Sequence, residues 1–367
     1  MLDACELCPS YIRAIAPYQP GKPIAELARE MGLDEPGIVK LASNENPLGT
    51  GEKARRAVQV QLQDLARYPD GSGFDLKRAL AAHYRIDDAN IVLGNGSNDV
   101  LEMAARAFLA AGVSAVYSAH AFAVYPLATQ ASGAASIVVP AKDFGHDLEA
   151  MAAAVRADTR VVWIANPNNP TGTFAPAASL EACLQRIPRR VIVVLDEAYH
   201  EYLPDEVQFD SMRWLERFPN LIITRTFSKA YGLAGLRVGF AVAHPEVADL
   251  MNRVRQPFNV STIAQAAAQA ALGDVEFVER SRDLNRRGLR QLCDGLDRLD
   301  RGYIPSFGNF LTLHAGAAAS VYQRLLQQGV IVRPIAGYGL PEHLRVTIGL
   351  ESENERFLRA LQVALHA

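Results

Sequence analysis

Between residues 91 and 243 the chain alternates short β-branched apolar runs with longer Ala- and Leu-rich stretches of helical period, a pattern that few folds satisfy. The runs are Ile91-Val-Leu, Ala115-Val-Tyr, Ser136-Ile-Val-Val, Arg160-Val-Val-Trp-Ile, Val191-Ile-Val-Val-Leu, Leu221-Ile-Ile-Thr and Val238-Gly-Phe-Ala-Val. Several are apolar on both faces, as central parallel strands must be when helices cover both sides of their sheet. The expected fold class is therefore α/β, with a mostly parallel sheet of about seven strands flanked by helices.

After Pro257 the texture changes. One long helical stretch from about Thr262 to Leu299 leads into strands Phe310-Leu-Thr-Leu-His, Val330-Ile-Val-Arg and Leu344-Arg-Val-Thr-Ile, with a helix from Ala317 to Gln328 and a closing helix from about Glu353. This predicts a large domain over 46–257 and a smaller α+β domain over 258–367. The first 45 residues carry Pro9, Pro17, Pro20, Pro23 and Pro36 and read as an N-terminal arm with a share in the small domain. At 367 residues the chain exceeds what one core usually serves, which also asks for two domains.

Composition narrows the function classes. A net charge of -3 with no block of Lys and Arg builds no field for nucleic acid or for an anionic membrane. The four cysteines are too dispersed for a disulfide framework, which fits a reducing compartment. Cys5 and Cys8 form a lone C-x-x-C with no second pair or nearby His, so they read as ordinary thiols and no metal site is expected. The start Met1-Leu-Asp-Ala-Cys-Glu lacks the basic and apolar regions of a signal peptide, and no apolar run approaches the ~18 residues needed to span a bilayer. The expected location is the cytoplasm.

Four segments carry candidate chemistry. Val191-Ile-Val-Val-Leu-Asp-Glu-Ala-Tyr is a buried strand ending in carboxylates, where open α/β sheets bind ligands. Asp196 there can pair with a cationic ring nitrogen, and Tyr199 can bring a hydroxyl to the same ligand. By itself Asp196 reads equally as a cap of the following helix. The next strand leads into Thr226-Phe-Ser-Lys-Ala-Tyr-Gly-Leu-Ala-Gly-Leu-Arg, where Lys229, desolvated and near another cation, would have a free amine able to form a Schiff base. Thr226, Ser228 and Arg237 around it suit a dianionic phosphate. Ile91-Val-Leu-Gly-Asn-Gly-Ser-Asn-Asp, a strand and Gly-bearing turn before the amphipathic stretch Val100 to Leu109, aims the N–H groups of Gly96, Ser97 and Asn98 at an anion. Ala165-Asn-Pro-Asn-Asn-Pro-Thr-Gly is an extended loop that offers Asn169 as an amide donor.

Together, N-P-x-N-P-T-G, D-E-A-Y and S-K-x-x-G-L-A-G-x-R, in this order and spacing, resemble the fold-type I pyridoxal-phosphate enzymes, specifically the class I and II aminotransferases. The resemblance implies that Lys229 binds pyridoxal 5'-phosphate as a Schiff base, that Asp196 pairs with the pyridine nitrogen, and that Asn169 and Tyr199 hold the ring's 3-oxygen. It also implies that Ser97, Asn98, Thr226, Ser228 and Arg237 cradle the cofactor phosphate. Phe122 matches the aromatic that stacks on the ring, although relatives often carry Pro-Thr where this chain has His120-Ala121. His120 itself reads as a structural histidine more readily than as a ligand of ring or substrate. Tyr68 matches a tyrosine that reaches the neighbouring subunit's phosphate, which implies a homodimer with shared active sites.

Within that group the chain is similar to the histidinol-phosphate aminotransferases. The similarity lies in Tyr18 within Ala16-Pro-Tyr-Gln-Pro-Gly, in Leu41-Ala-Ser-Asn-Glu-Asn-Pro-Leu-Gly with Asn46 as a substrate-binding residue, and in the tail from Gly329 to Gly349. Arg345 corresponds to the arginine that grips a substrate carboxylate, and Arg333 with Tyr18 to groups that bind the substrate phosphate. The implied reaction is ping-pong transamination from glutamate to imidazole-acetol phosphate, giving 2-oxoglutarate and histidinol phosphate. The alternatives are an aromatic amino acid aminotransferase, which keeps a similar tail, and a phosphothreonine-type decarboxylase on the same framework. A DNA-binding sensor fits badly, because the cofactor motifs begin within the first ~100 residues and no basic stripe exists.

Overall fold

In a computed structural model of the chain, residues 4–366 are described. Residues 1–3, the beginning of the segment read above for a leader, lie outside them. A short strand β1 (Val39–Lys40) precedes seven strands of one sheet: β2 (Ile91–Gly94), β3 (Ser114–Ser118), β4 (Ala135–Val139), β5 (Thr159–Ala165), β6 (Ile192–Asp196), β7 (Leu221–Thr226) and β8 (Gly239–Ala243). Their order is β2-β8-β7-β6-β5-β3-β4. All neighbours are parallel except β8, which runs antiparallel to both β2 and β7.

Successive residues of a strand point to opposite faces, and here both faces are apolar. Ile164, Val193, Leu195 and Ile223 enter one core with Leu76, Leu80 and Leu180, while Trp163, Val194, Ile222 and Ala241 enter the other with Leu101, Met103 and Met251. Helices therefore cover the sheet on both sides, and its strand ends are the open edge where ligands can approach.

The remaining strands are β9 (Tyr303–Ile304), β10 (Phe310–His314), β11 (Val330–Ile331), β12 (Arg333–Pro334) and β13 (His343–Thr347). Four of them form an antiparallel sheet ordered β12-β13-β10-β9, while β11 pairs in parallel with β1. Three corrections to the sequence reading follow. The stretch from Thr262 to Leu299 is two helices, Thr262–Leu272 and Val275–Arg298, because Gly273 ends the first and the chain turns at Asp274. Val330-Ile-Val-Arg is not one strand but two that serve different sheets. From Ile24 onward the arm is a core element: the helix Ile24–Met31 buries Leu27 and Ala28 against Leu326 and Ile331, and β1 hydrogen-bonds to β11.

Helices Val275–Arg298 and Glu351–His366 pack closely because two glycines lie at their contact. A Cβ on Gly288 would stand 2.4 Å from Ile348 Cγ2 and 2.9 Å from Asn354 Nδ2, and one on Gly295 would stand 2.3 Å from Leu358 Cδ1. Gly288→Val is expected to lower stability by about 1–3 kcal/mol through overpacking. The midpoint of chemical denaturation, compared with wild type, checks this.

Candidate active site

The carboxyl ends of the parallel strands and the loops after them converge on a cavity of about 180 Å³. Asp196 ends β6, Thr226 ends β7, and Ser97 opens the helix Ser97–Phe108 that follows β2. Phe122 lies beyond β3, and Asn169 lies in the loop after β5, whose Asn166–Pro167 and Asn169–Pro170 bonds are both cis. From the small sheet come Arg333 and Arg345, partners in register on β12 and β13. From the first segment come Tyr18 and Asn44. A larger groove of about 840 Å³ opens elsewhere, along Phe144, His146, Phe174 and Tyr303, but it does not collect this charge.

Asp196 is 5% exposed. Its Oδ2 accepts from Tyr125 Oη and its Oδ1 from Thr224 Oγ1, each at 2.9 Å. Burial raises its pKa against the opposing pull of those bonds and of Lys229. The carboxylate thus lacks a directly bonded cation, and a cationic ligand atom would complete it.

Lys229 Nζ donates to the carbonyl of Ser43 at 3.2 Å and lies over the ring of Tyr199, 5.9 Å from its centre. Burial, followed by the positive charge of Arg345, lowers its pKa to about 8. Arg237 lowers it further, while Glu45 and Asp196 act in the other direction. Tyr199 is pushed up to about 12, mainly by burial, so its hydroxyl keeps its proton. Because Asn44 Nδ2 donates to that oxygen at 2.9 Å, the proton itself is free to be donated into the cavity.

The guanidinium of Arg345 donates from Nη1 to Asn169 Oδ1 at 2.6 Å and from Nη2 to the Ala42 carbonyl at 2.8 Å. The first bond occupies the amide oxygen and leaves the Asn169 amide hydrogens for a ligand. Arg345 Nε is buried without a partner. Arg333 donates to the Gln19 carbonyl and stacks over Tyr18 at 5.3 Å. Arg237, in the left-handed region at φ 55°, donates to the Ala234 carbonyl at 3.0 Å and to Ser228 Oγ at 3.4 Å. Two glycines bring this corner together: a Cβ on Gly96 would meet Arg237 Nη2 at 2.5 Å, and one on Gly239 would meet Ser97 N at 2.5 Å.

Of the residues singled out in the sequence, Lys229, Asp196, Tyr199, Ser97, Asn98, Phe122, Asn169, Thr226, Ser228, Arg237, Tyr18, Arg333 and Arg345 all line this one cavity. Gly96 is buried beneath Arg237 rather than lining it. Asn46 is a correction: its amide is spent on the Ala230 carbonyl at 2.9 Å and on Ser281 Oγ at 2.8 Å, and its Oδ1 accepts from Leu48 N at 3.0 Å. The asparagine that reaches the site is Asn44, two residues earlier. Tyr68 is 82% exposed and stacks on Phe258 with ring centres 4.7 Å apart, outside this cavity. Thr224 and Tyr125 were also missed. Thr224 was legible, since it alternates with Thr226 on one strand face, whereas no local signal marks Tyr125.

A doubly covered, mostly parallel sheet with an amine, a buried carboxylate and an anion cradle at its strand ends is the arrangement of a cofactor-dependent group-transfer enzyme. The chain belongs to the aminotransferase class I and II family, whose model matches residues 36–361. It is 61% identical over 365 residues to histidinol-phosphate aminotransferase 2 of Nitrosospira multiformis, covering 99% of this chain and 93% of that protein. It is 62% identical over 356 residues to histidinol-phosphate aminotransferase 1 of Dechloromonas aromatica, covering 97% and 98%. Among solved structures, histidinol-phosphate aminotransferase from Sinorhizobium meliloti in complex with pyridoxal-5'-phosphate aligns with a TM-score of 0.89 at 29% identity, covering 97% of each chain.

The depressed pKa of Lys229 has a measurable consequence. In cofactor-free protein, Schiff-base formation with a small aromatic aldehyde should rise with pH around a midpoint near 8, because only the neutral amine attacks. Arg345→Gln should move that midpoint upward by removing a positive neighbour, and Lys229→Ala should abolish the absorbance change.

Proposed function

We propose that this aminotransferase is a histidinol-phosphate aminotransferase that carries pyridoxal 5'-phosphate on Lys229. The observation that carries the reading is a charge imbalance. Lys229, Arg237, Arg333 and Arg345 all line the cavity and none forms an ion pair among the described residues, while Asp196 is the one carboxylate in the lining. The cations stand at two poles, Arg237 beside the helix N-terminus at Ser97 and the Arg333–Arg345 pair on the small sheet, with Lys229 and Asp196 also in the lining. A ligand set with two anionic ends and a cationic centre satisfies such a site.

The residues fit the cofactor. Ser97, Asn98, Thr226, Ser228 and Arg237 would hold its phosphate, Phe122 would face its ring, and Asn169 and Tyr199 would donate to the ring's 3-oxygen. Pyridoxal phosphate, when bound, supplies an aldehyde for amine exchange and a ring that draws electron density from the substrate Cα. Asp196 would keep a proton on the ring nitrogen, a role suited to a buried carboxylate braced by Tyr125 and Thr224. Lys229 Nζ, near neutrality at about pH 8, would carry the proton to and from Cα.

Arg345 would grip the carboxylate of glutamate or 2-oxoglutarate, and Arg333 with Tyr18 the phosphate of histidinol phosphate, so that one pocket takes both substrates in turn. The amine passes from glutamate to imidazole-acetol phosphate, giving 2-oxoglutarate and histidinol phosphate. We further assign the exposed Tyr68 to the site of a second copy of the chain. It stacks on Phe258, and Val60, Leu62, Leu65 and Phe74, near it in sequence, are likewise exposed apolar side chains, suited to a homodimer interface.

The test is rapid-mixing absorbance of cofactor-loaded protein with histidinol phosphate, glutamate and phenylalanine in turn. Loss of the bound-cofactor band with the first two, and slowly with phenylalanine, is expected. A preference for phenylalanine overturns the substrate assignment. Arg333→Gln should cost roughly 10- to 100-fold in kcat/KM for histidinol phosphate, the worth of a hydrogen bond to a charged group, and little for phenylalanine. Asp196→Asn should lower kcat about 10²- to 10³-fold with every donor.

A further inference from the structure

His120 is not in the cavity lining, yet it joins three of the segments that build the cavity. Its backbone carbonyl accepts from Asn168 Nδ2 at 2.9 Å, next to the Asn169 that Arg345 holds. Its ring Nδ1 stands 2.7 Å from the carbonyl of Tyr338. A carbonyl only accepts, so Nδ1 carries the proton and donates, which fixes the ring's tautomer. The ring edge also faces Gly339, where a Cβ would be 3.5 Å from Cε1.

Tyr338 belongs to the connection between β12 and β13, the strands that present Arg333 and Arg345 in register. Ile335 and Leu340 bury the two ends of that connection, and the turn between them is open. Ala336, Gly337 and Gly339 are exposed, and Gly339 takes a positive φ of 76°. Its own hydrogen bonds are local turns, Tyr338 N to Ile335 O at 3.0 Å and Gly339 N to Ala336 O at 2.9 Å, and Glu342 O accepts from Ala315 N within the small sheet unit. The contacts that lead to the large sheet start at Tyr338. Its carbonyl meets His120, and its phenol lies beside Ala123 N–H, facing Arg345, Tyr18 and Arg333. Both of these partners flank Phe122.

We propose that His120 is a positioning residue for the substrate's anionic end: through the Tyr338 carbonyl it sets where Arg333 and Arg345 stand relative to the face of Phe122. The physical reason is the asymmetry of stiffness across this bond. On the His120 side the backbone is anchored to β3 and β4, since Ala119 N donates to Val139 O at 2.8 Å, and to Asn168. On the Tyr338 side the turn between the buried Ile335 and Leu340 is glycine-flanked and its own hydrogen bonds are local. Breaking the bond therefore loosens the turn that joins the two arginine-bearing strands, while Arg345 keeps its bonds to Asn169 and Ala42 and Phe122, Lys229 and Asp196 stay in place. The loss falls on substrate binding, not on the chemistry that follows it.

The identity of the anion rests on the function proposed above, whereas the positioning role does not, so both histidinol phosphate and glutamate are used as donors. His120→Leu removes the donor. His120→Asn keeps one, because the asparagine amide falls near the position of Nδ1. The leucine variant should raise KM about tenfold for the donors that wild type accepts, with kcat changed less than about threefold, an unaltered cofactor absorbance band and an unaltered melting temperature. The asparagine variant should return KM to within about threefold of wild type, the size expected for one neutral hydrogen bond lost and regained. Tyr338→Phe, which keeps the carbonyl, should leave the His120 effect intact. An unchanged KM in the leucine variant overturns the proposal. So does a joint fall in kcat, melting temperature and cofactor band that asparagine does not rescue. If wild type ignores histidinol phosphate but exchanges with glutamate, the substrate assignment fails and the glutamate KM still decides the role of His120.

Discussion

The rest of the site depends on a carboxylate buried at the end of β6. Asp196 is held between Tyr125 from one side and Thr224 of the neighbouring strand from the other, and β6 and β7 are in register at Asp196 and Thr224. With the anion fixed in depth, Thr226 at the end of β7 and Lys229 just beyond it line the same cavity. A carboxylate in this position is costly unless a cation meets it, and the nearest cation is an amine that burial itself disfavours. The charges of the cavity are thus unbalanced among the protein's own groups. Arg345 Nε has no partner and Asp196 has hydrogen bonds but no paired cation, and a cofactor and substrate would complete both.

The other faces of the same strands show how such a site is afforded. One residue beyond Asp196, Glu197 turns away from the cavity and is fully buried against Arg225, with Glu197 Oε2 2.7 Å from Arg225 Nη2 and 2.8 Å from Nε, while Ser211 Oγ donates to the same oxygen at 2.8 Å. Charge on that side is ion-paired, although burial still raises the Glu197 pKa and leaves its Oε1 without a hydrogen-bond partner. Charge on the cavity side is not ion-paired. The period-two alternation of a strand thereby separates a structural ion pair from a binding site across a single peptide bond.

Much of this was legible because it is local. The covered sheet follows from runs apolar on both faces, and the positions of Asp196, Lys229 and Ser97 follow from where those runs end. Misreadings arose where one residue had to be chosen among equals. In Ser43-Asn-Glu-Asn, the choice between Asn44 and Asn46 is made by Ser281, 235 residues from Asn46, and by Tyr199, 155 residues from Asn44. The unbroken helical period from Thr262 concealed a break because Gly273 is tolerated in a helical pattern and also ends one. The proline-rich first segment read as an arm because nothing in it announces that Leu27 will find Ile331.

The sequence by itself determined the layered α/β sheet, the residues at its strand ends and therefore the chemistry available there, since these depend on periodicity and on turns a few residues long. Only the tertiary structure decided which second-layer groups brace them. The Tyr125 bond to Asp196 spans 71 positions, the Arg345 bond to Asn169 spans 176, and the His120 bond to Tyr338 spans 218. Hydrogen bonds of that separation carry no periodic signature. They exist because packing two apolar cores and one small sheet brings particular backbone and side-chain atoms to within about 3 Å, a result that no stretch of the chain holds on its own.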